Sequence, residues 1–164
     1  MENRVTASNE RSDLTNPAPR RADEVVPSDA RESVVLGYPR ALMTYNMEQF
    51  ESIWHENAVH ENAFLPEGAL PAFVGRTQIV NHYRAAFQKR QNVVFTIKTV
   101  HHTAVPDCLI MEFRQTSFVP ESGANYDQHY VGVFYLREEK IFHLRLYADP
   151  LAAQRALSTL LSKY

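Results

Sequence analysis

The second half of the chain constrains the fold most. Four runs, residues 92–105, 107–119, 126–137 and 140–148, are rich in Val, Ile, Thr, Phe and Tyr. Only short turns part them, at Pro106-Asp107, Glu121-Ser122-Gly123 and Glu138-Glu139. β-Branched and aromatic side chains suit a pleated, half-buried ribbon. Connections this short join antiparallel neighbours, because a parallel crossover needs roughly a dozen residues or more. The expectation is a meander of long antiparallel strands, and such a sheet must bury one face against something.

What precedes the runs is helical. Ser28 or Asp29 is placed to cap a helix carrying Val34, Val35, Leu36, Ala41, Leu42 and Tyr45, with Pro39 expected to kink or split it. Residues 47–54 read as a second helix with Phe50, Ile53 and Trp54 on its apolar face. An extended piece at residues 58–62 and a turn-rich loop at residues 66–71 follow. Gly75-Arg76-Thr77 then opens a third helix in which Ile79, Val80, Tyr83, Ala86 and Phe87 recur at helical spacing. Asp149-Pro150 ends the sheet and starts a C-terminal helix through Leu151, Ala156, Leu157, Leu160 and Leu161. Residues 1–28 carry too little apolar surface to offset their ordering entropy and are expected to form a disordered tail. Residues 29–164 then make a single α+β domain, a cone in which a curved antiparallel sheet wraps around N-terminal helices. Its open end leaves an internal pocket of the kind that takes small molecules.

Composition narrows the function. A net charge of -2, with no basic stripe beyond Lys89-Arg90 at the end of the third helix, gives no footing for nucleic acid. Five scattered glycines make no phosphate-cradling loop, so no nucleotide cofactor is expected. The one cysteine, Cys108, fits a reducing compartment and reads as a small buried side chain on a strand. No run approaches the roughly 18 apolar residues of a membrane helix, and residues 1–30 hold no apolar signal core. The expectation is a cytoplasmic protein without a membrane partner. His55 and His60 stand five apart and miss the His-Glu-x-x-His pattern, so no metal is expected.

Two stretches carry a family likeness. Lys140-Ile141-x-x-Leu144-Arg145-x-Tyr147 followed by Asp149-Pro150 is one. The other is Asn57-Ala58-Val59-x-Glu61-x-x-Phe64-x-Pro66-Glu67-Gly68 followed by Gly75-Arg76-x-x-Ile79. Both resemble the polyketide-cyclase-like (SnoaL-like) proteins of the nuclear-transport-factor-2-like superfamily, over roughly residues 32–158. Within that group, Tyr38 and Asn62 fall where ketosteroid isomerases have an oxyanion-donating tyrosine and an aspartate base. Asn62 supplies an amide there, which accepts no proton at neutral pH. Gly75-Arg76-x-x-Ile79-x-x-His82 and Tyr126-Asp127-Gln128-His129-Tyr130 are similar to the phenazine-biosynthesis A/B family, matching its pocket histidine to His82 and its pocket tyrosine to Tyr126. That family's acidic residue falls on Leu146 and its pocket serine on Ala86. The resemblance implies cofactor-independent acid–base chemistry on a small molecule.

Strand parity sorts the candidates. If Tyr126 and Leu146 face the pocket, so do Gln128, Tyr130, Phe142 and Leu144, while His129, His143, Arg145 and Tyr147 face outward. His60 shares parity with Asn62 and points inward. The candidate catalytic set is His82, His60, Tyr38 and Tyr126, and the candidate binding set is Asn62, Phe64, Gln128, Tyr130, Leu146 and Trp54. Three functions are compatible with this pattern. One is an isomerase, cyclase or dehydratase acting on a small carbonyl metabolite of specialised biosynthesis. Another is a binding or carrier protein, as the lost carboxylates at Asn62 and Leu146 suggest. The third, a purely dimeric interaction module, has no use for a polar inward cluster that is costly to bury. The outward set mixes aromatic and charged groups, as a sheet face that meets a second copy does. Sedimentation equilibrium is expected to show a homodimer at micromolar concentration; a monomer there rules out pairing through this face.

Overall fold

The computed structural model describes residues 18–64, 71–149, 151 and 152. The expected loop at residues 66–71, but for Pro71, and the C-terminal helix beyond Ala152 lie outside the described residues. Helix α1 (Ala30–Met43) starts at Asp29, whose carboxylate accepts the Glu32 N–H at 2.8 Å. This satisfies one of the orphan amides of the first turn. Pro39 lies inside α1, which runs on through it, so of the two expected outcomes the split does not occur. It removes one helical hydrogen bond, yet Val35, Leu36, Tyr38, Ala41 and Leu42 around it are all buried, and that packing carries the helix through.

Asn46 caps helix α2 (Met47–Ser52), which is shorter than the expected 47–54. The carbonyl of Ile53 instead accepts the N–H of Ile141 at 2.8 Å, and Trp54 opens strand β2 (Trp54–Asn62). Long-range pairing has taken these two residues from the helix. A short strand, β3 (Ala72–Val74), pairs with β2 and leads to α3 (Arg76–Phe87). Gly75 makes the corner at φ 87, and its N–H reaches the Ala58 carbonyl at 2.8 Å. That φ lies in the region open to glycine and strained for other residues.

The long strands are β4 (Gln91–His102), β5 (Cys108–Val119), β6 (Ala124–Arg137) and β7 (Lys140–Ala148). With β1 (Arg20–Arg21) they form a seven-stranded sheet among the described residues, in the order β1-β4-β5-β6-β7-β2-β3. Every pair is antiparallel except β2 with β7. Register shifts near Asn92, Lys98 and Phe142, and along β2 between Trp54 and Val59, bend the sheet around α1. The shift at Phe142 has a second effect. Tyr135 pairs with His143 and Leu136 with Ile141, so Phe142 has no partner and leaves the parity expected of it. It faces away from the pocket, under the Arg137 guanidinium at 3.5 Å from the ring centroid and edge-on to His55.

The expected tail of residues 1–28 is narrowed. Residues 1–17 lie outside the described residues, but residues 18–28 are built into the fold. β1 pairs with β4 at Arg20↔Ile97 and Arg21↔Thr96, Ala22 is fully buried, and Val25 is nearly so. Arg40 of α1 donates to the carbonyls of Ala22 and Val25. The segment docks by backbone pairing and carbonyl acceptors, which its polar composition does not advertise. A chain starting at Val26 is expected to be less stable in urea unfolding than one starting at Ala18, by about 1–3 kcal/mol: burial of Val25 and the Arg40 hydrogen bonds, offset by ordering entropy. Equal midpoints for the two would show that the docked segment contributes nothing.

Candidate functional site

The inward residues of β5 and β6 change character along the cone. On β5 they run Leu109, Met111, Phe113, then Gln115 and Ser117, all buried. On β6 they run Phe134, Gly132, Tyr130, then Gln128 and Tyr126, with Gln115 opposite Gln128 in register. The closed end is therefore aromatic and aliphatic, while the open end is polar. Gly132 belongs to the tight end: a Cβ there would stand 2.6 Å from the Phe134 ring.

A cavity of about 250 Å³ occupies the polar end. Nine of the ten candidate residues border it: Tyr38, His60, Asn62, Phe64, His82, Tyr126, Gln128, Tyr130 and Leu146. Trp54 does not. It is fully buried at the closed end, against the rings of Tyr38, Phe50 and His60. Its placement as a binding residue is corrected by the strand start at Trp54, which sends the indole beneath His60 rather than into the cavity.

At the cavity floor three side chains from three elements form one hydrogen-bonded chain. The hydroxyls of Tyr38 (α1) and Tyr83 (α3) are 2.8 Å apart, and the Tyr83 hydroxyl is 2.9 Å from His60 Nε2 (β2). Burial suppresses the charged form of each. It raises both tyrosines well above the usual phenol value and pushes the His60 pKa down to about 3. His60 is thus a neutral imidazole at physiological pH. Its Nδ1 has no hydrogen-bond partner among the described residues.

His82 stands at the rim, its ring stacked on Phe73 at 4.1 Å. Desolvation, then the charge of Arg90, lowers its pKa, so it too is neutral near pH 7. Tyr83 lies between His82 and His60, in ring contact with both at 5.3 and 5.5 Å. Tyr126 bonds Tyr130 through hydroxyls 2.6 Å apart. Gln128 Nε2 donates to the Asp149 carbonyl at 2.8 Å, while its Oε1 is buried without a partner among the described residues. Glu61, as expected from parity, faces the other side of the sheet, 3.1 Å from both His143 Nε2 and Arg145 Nε.

Among the cavity residues that stood in neither candidate set are Tyr83, Gln115 and Arg90. Each left a signal. Gln115 shares parity with Phe113 on β5, and Arg90 follows Tyr83 and Phe87 at steps of seven and three, the phase of one helical face. On sequence alone Arg90 was placed only at the end of the third helix.

Residues 35–144 match the SnoaL-like domain. The chain belongs to the SnoaL-like family. A curated relative, the uncharacterised protein YesE of Bacillus subtilis, is 31% identical over 121 residues, covering 71% of this chain and 82% of its own. A crystal structure of a Bacillus subtilis candidate isomerase superposes with a TM-score of 0.73 at 26% identity, covering 79% of this chain and 94% of that one. An epoxide hydrolase from M. tuberculosis shares the fold at a TM-score of 0.63 and 16% identity, over 82% of this chain and 97% of its own. The SnoaL-like fold is thus an α+β cone that hosts several chemistries. No helix among the described residues is long and apolar enough to cross a membrane.

The state of His60 has a measurable consequence. Its folded pKa of about 3 lies below the ordinary 6.5, so between these values the unfolded chain binds a proton that the folded chain does not. Stability therefore falls as pH drops below about 6.5, by up to about 1.4 kcal/mol per pH unit from this residue. Urea unfolding from about pH 6.5 to 4.5 should give a shallower pH slope in His60→Gln than in the parent. Parallel slopes would mean that His60 protonates freely in the folded state.

Proposed function

We propose that this SnoaL-like protein is a cofactor-independent enzyme of the isomerase, cyclase or dehydratase type, moving protons on a small carbonyl compound of specialised metabolism. The observation that supports this most is the buried Tyr38–Tyr83–His60 chain at the floor of the cavity. With His60 donating from Nε2 to Tyr83, and Tyr83 to Tyr38, the Tyr38 hydroxyl is left to donate into the cavity. A neutral donor of this kind, fixed in a desolvated site, stabilises an enolate oxygen more than the parent carbonyl. The Tyr126–Tyr130 pair offers a second hydroxyl on the same terms.

The base in this reading is His82. The proton on the carbon next to the carbonyl passes to a ring nitrogen of His82, and the C–H electron pair moves into the carbonyl system. The oxygen, held by tyrosine, takes the charge. The imidazolium then returns the proton to a second carbon, which completes an isomerisation without net gain or loss. Neutral His82 suits the first step, since only the unprotonated ring accepts.

A second reading, a binding or carrier protein, is supported by Asn62 and Leu146, which put no carboxylate at the inner cavity wall. Proton exchange separates the two. In deuterated buffer, the protein should accelerate exchange at the α-carbons of 2-tetralone, read by proton NMR. His82→Ala should slow the accelerated rate by about 10²–10⁴-fold, and Tyr38→Phe by about 10²-fold or more. Saturable 2-tetralone binding with no exchange above buffer selects the carrier reading. Exchange that survives His82→Ala unchanged removes His82 as the base.

A further inference from the structure

Arg90 is the one cation bordering the cavity among the described residues, and the fold holds it there with unusual thoroughness. Its backbone N–H closes onto the Phe87 carbonyl at 3.0 Å, which turns the side chain back over the end of α3. Its Nε donates to the Ala86 carbonyl at 3.0 Å. Its Nη1 reaches Gln115 Oε1 at 3.2 Å and Ser117 Oγ at 3.4 Å. Gln115 is itself oriented by an Nε2 bond to Ser117 Oγ at 2.9 Å, and both residues are buried. The rings of Tyr126 and Phe87 lie 4.4 and 4.8 Å from the guanidinium carbon.

Every partner in that set is neutral. Among the described residues no carboxylate pairs with Arg90. Asp149, the acidic residue at the cavity border, spends Oδ1 on the Leu151 N–H at 2.9 Å. The hydrogen bonds to Arg90 end on Nε and Nη1, and Nη2 has no partner among the described residues. A half-buried guanidinium held by neutral acceptors, with two N–H groups to spare, is a fork set for an anionic oxygen pair. Its charge also reaches the pocket interior, where it opposes the rise in the pKa values of Tyr38, Tyr83 and Tyr130.

We propose that Arg90 makes this cavity an acid-binding site, whose ligand is a planar, mainly apolar molecule carrying a carboxylate or another ionised oxygen that docks on Nη2. This rests on the reading above that the cavity takes a small molecule, and it adds the ligand's charge class. The planar body follows from the walls: Phe87, Phe95, Tyr126 and Tyr130 line the cavity with rings, and those of Phe87 and Tyr126 lie against the guanidinium. Arg90 would then anchor one end of the ligand while the Tyr38–Tyr83–His60 chain meets the other polar group. Arg90 is a binding and orienting residue in this scheme, with no proton to transfer.

The test compares 2-naphthoate with its neutral isostere 2-naphthamide, titrated calorimetrically into the full-length protein. The acid should bind about tenfold or more tightly than the amide, the increment of a charge-assisted hydrogen bond. Arg90→Gln should bring the ratio close to one, and Arg90→Lys, which keeps the charge without the fork, should leave an intermediate ratio. The ratio within one variant is insensitive to how much of that variant is folded, so a purely structural Arg90 would change melting temperature and leave the ratio alone. An acid-to-amide ratio near one in the parent, or one that survives Arg90→Gln, overturns the proposal while leaving a small-molecule pocket intact. No saturable binding of either probe at millimolar concentration overturns the proposal together with the reading it rests on.

Discussion

A tyrosine hydroxyl at the centre of an aromatic core must be satisfied, and much of this structure follows from how that is done. Tyr38 is almost fully buried and touches the rings of Phe50, Trp54, Tyr83, Phe95, Phe113 and Phe134. Its hydroxyl finds Tyr83, and Tyr83 finds His60. One helix from the start of the chain, a second from its middle and one strand are thereby fixed to a common point. An unpaired hydroxyl there would cost about 1–3 kcal/mol, so the three elements are held in mutual register by polarity as well as by packing. The same chain is what the cavity exposes as donor groups.

The cone divides its labour along its axis. At the closed end Trp54, Phe50, Phe134 and Leu144 are fully buried and supply the hydrophobic stabilisation. At the open end β5 and β6 turn Gln115, Ser117 and Gln128 inward, each buried; Gln115 and Ser117 bond each other and hold Arg90, and Gln128 donates to the Asp149 carbonyl. Buried polar side chains are tolerated when they are paired. Among the described residues the cavity therefore has a neutral donor floor, aromatic walls and one cation, with Asp149 at its rim and Glu61 on the far face of the sheet. In such a setting His60 and His82 both stay unprotonated near neutrality, for the shared reason that burial disfavours the imidazolium.

The outer face follows a different rule. Glu61 meets His143 and Arg145 across the parallel β2–β7 pair, at 3.1 Å from each. These residues alternate with the cavity residues His60, Asn62 and Leu146 on the same two strands. A single-residue slip of β2 against β7 would carry the Glu61 carboxylate from the outer face into the cavity, so the charges help to fix the register.

What the sequence by itself determined is whatever rests on local pattern. The four long strands, a helix cap at Ser28 or Asp29, the third helix and the inward parity of His60, Tyr126, Gln128 and Leu146 were legible, because alternation and helical spacing are set by backbone geometry alone. What only the tertiary structure decided is whatever depends on a distant partner. Trp54 left its helix because Ile53 pairs with Ile141, and Phe142 turned outward because one residue is extra where β6 meets β7. Residues 20–25 docked because β4 offered an edge and Arg40 needed carbonyl acceptors. Arg90, polar and beside a lysine, entered the cavity because Ala86, Gln115 and Ser117 converge on it from two elements. Local sequence carries propensity and phase, whereas a bulge, an edge pairing or a buried charge is settled by the free energy of contacts between residues far apart in the chain.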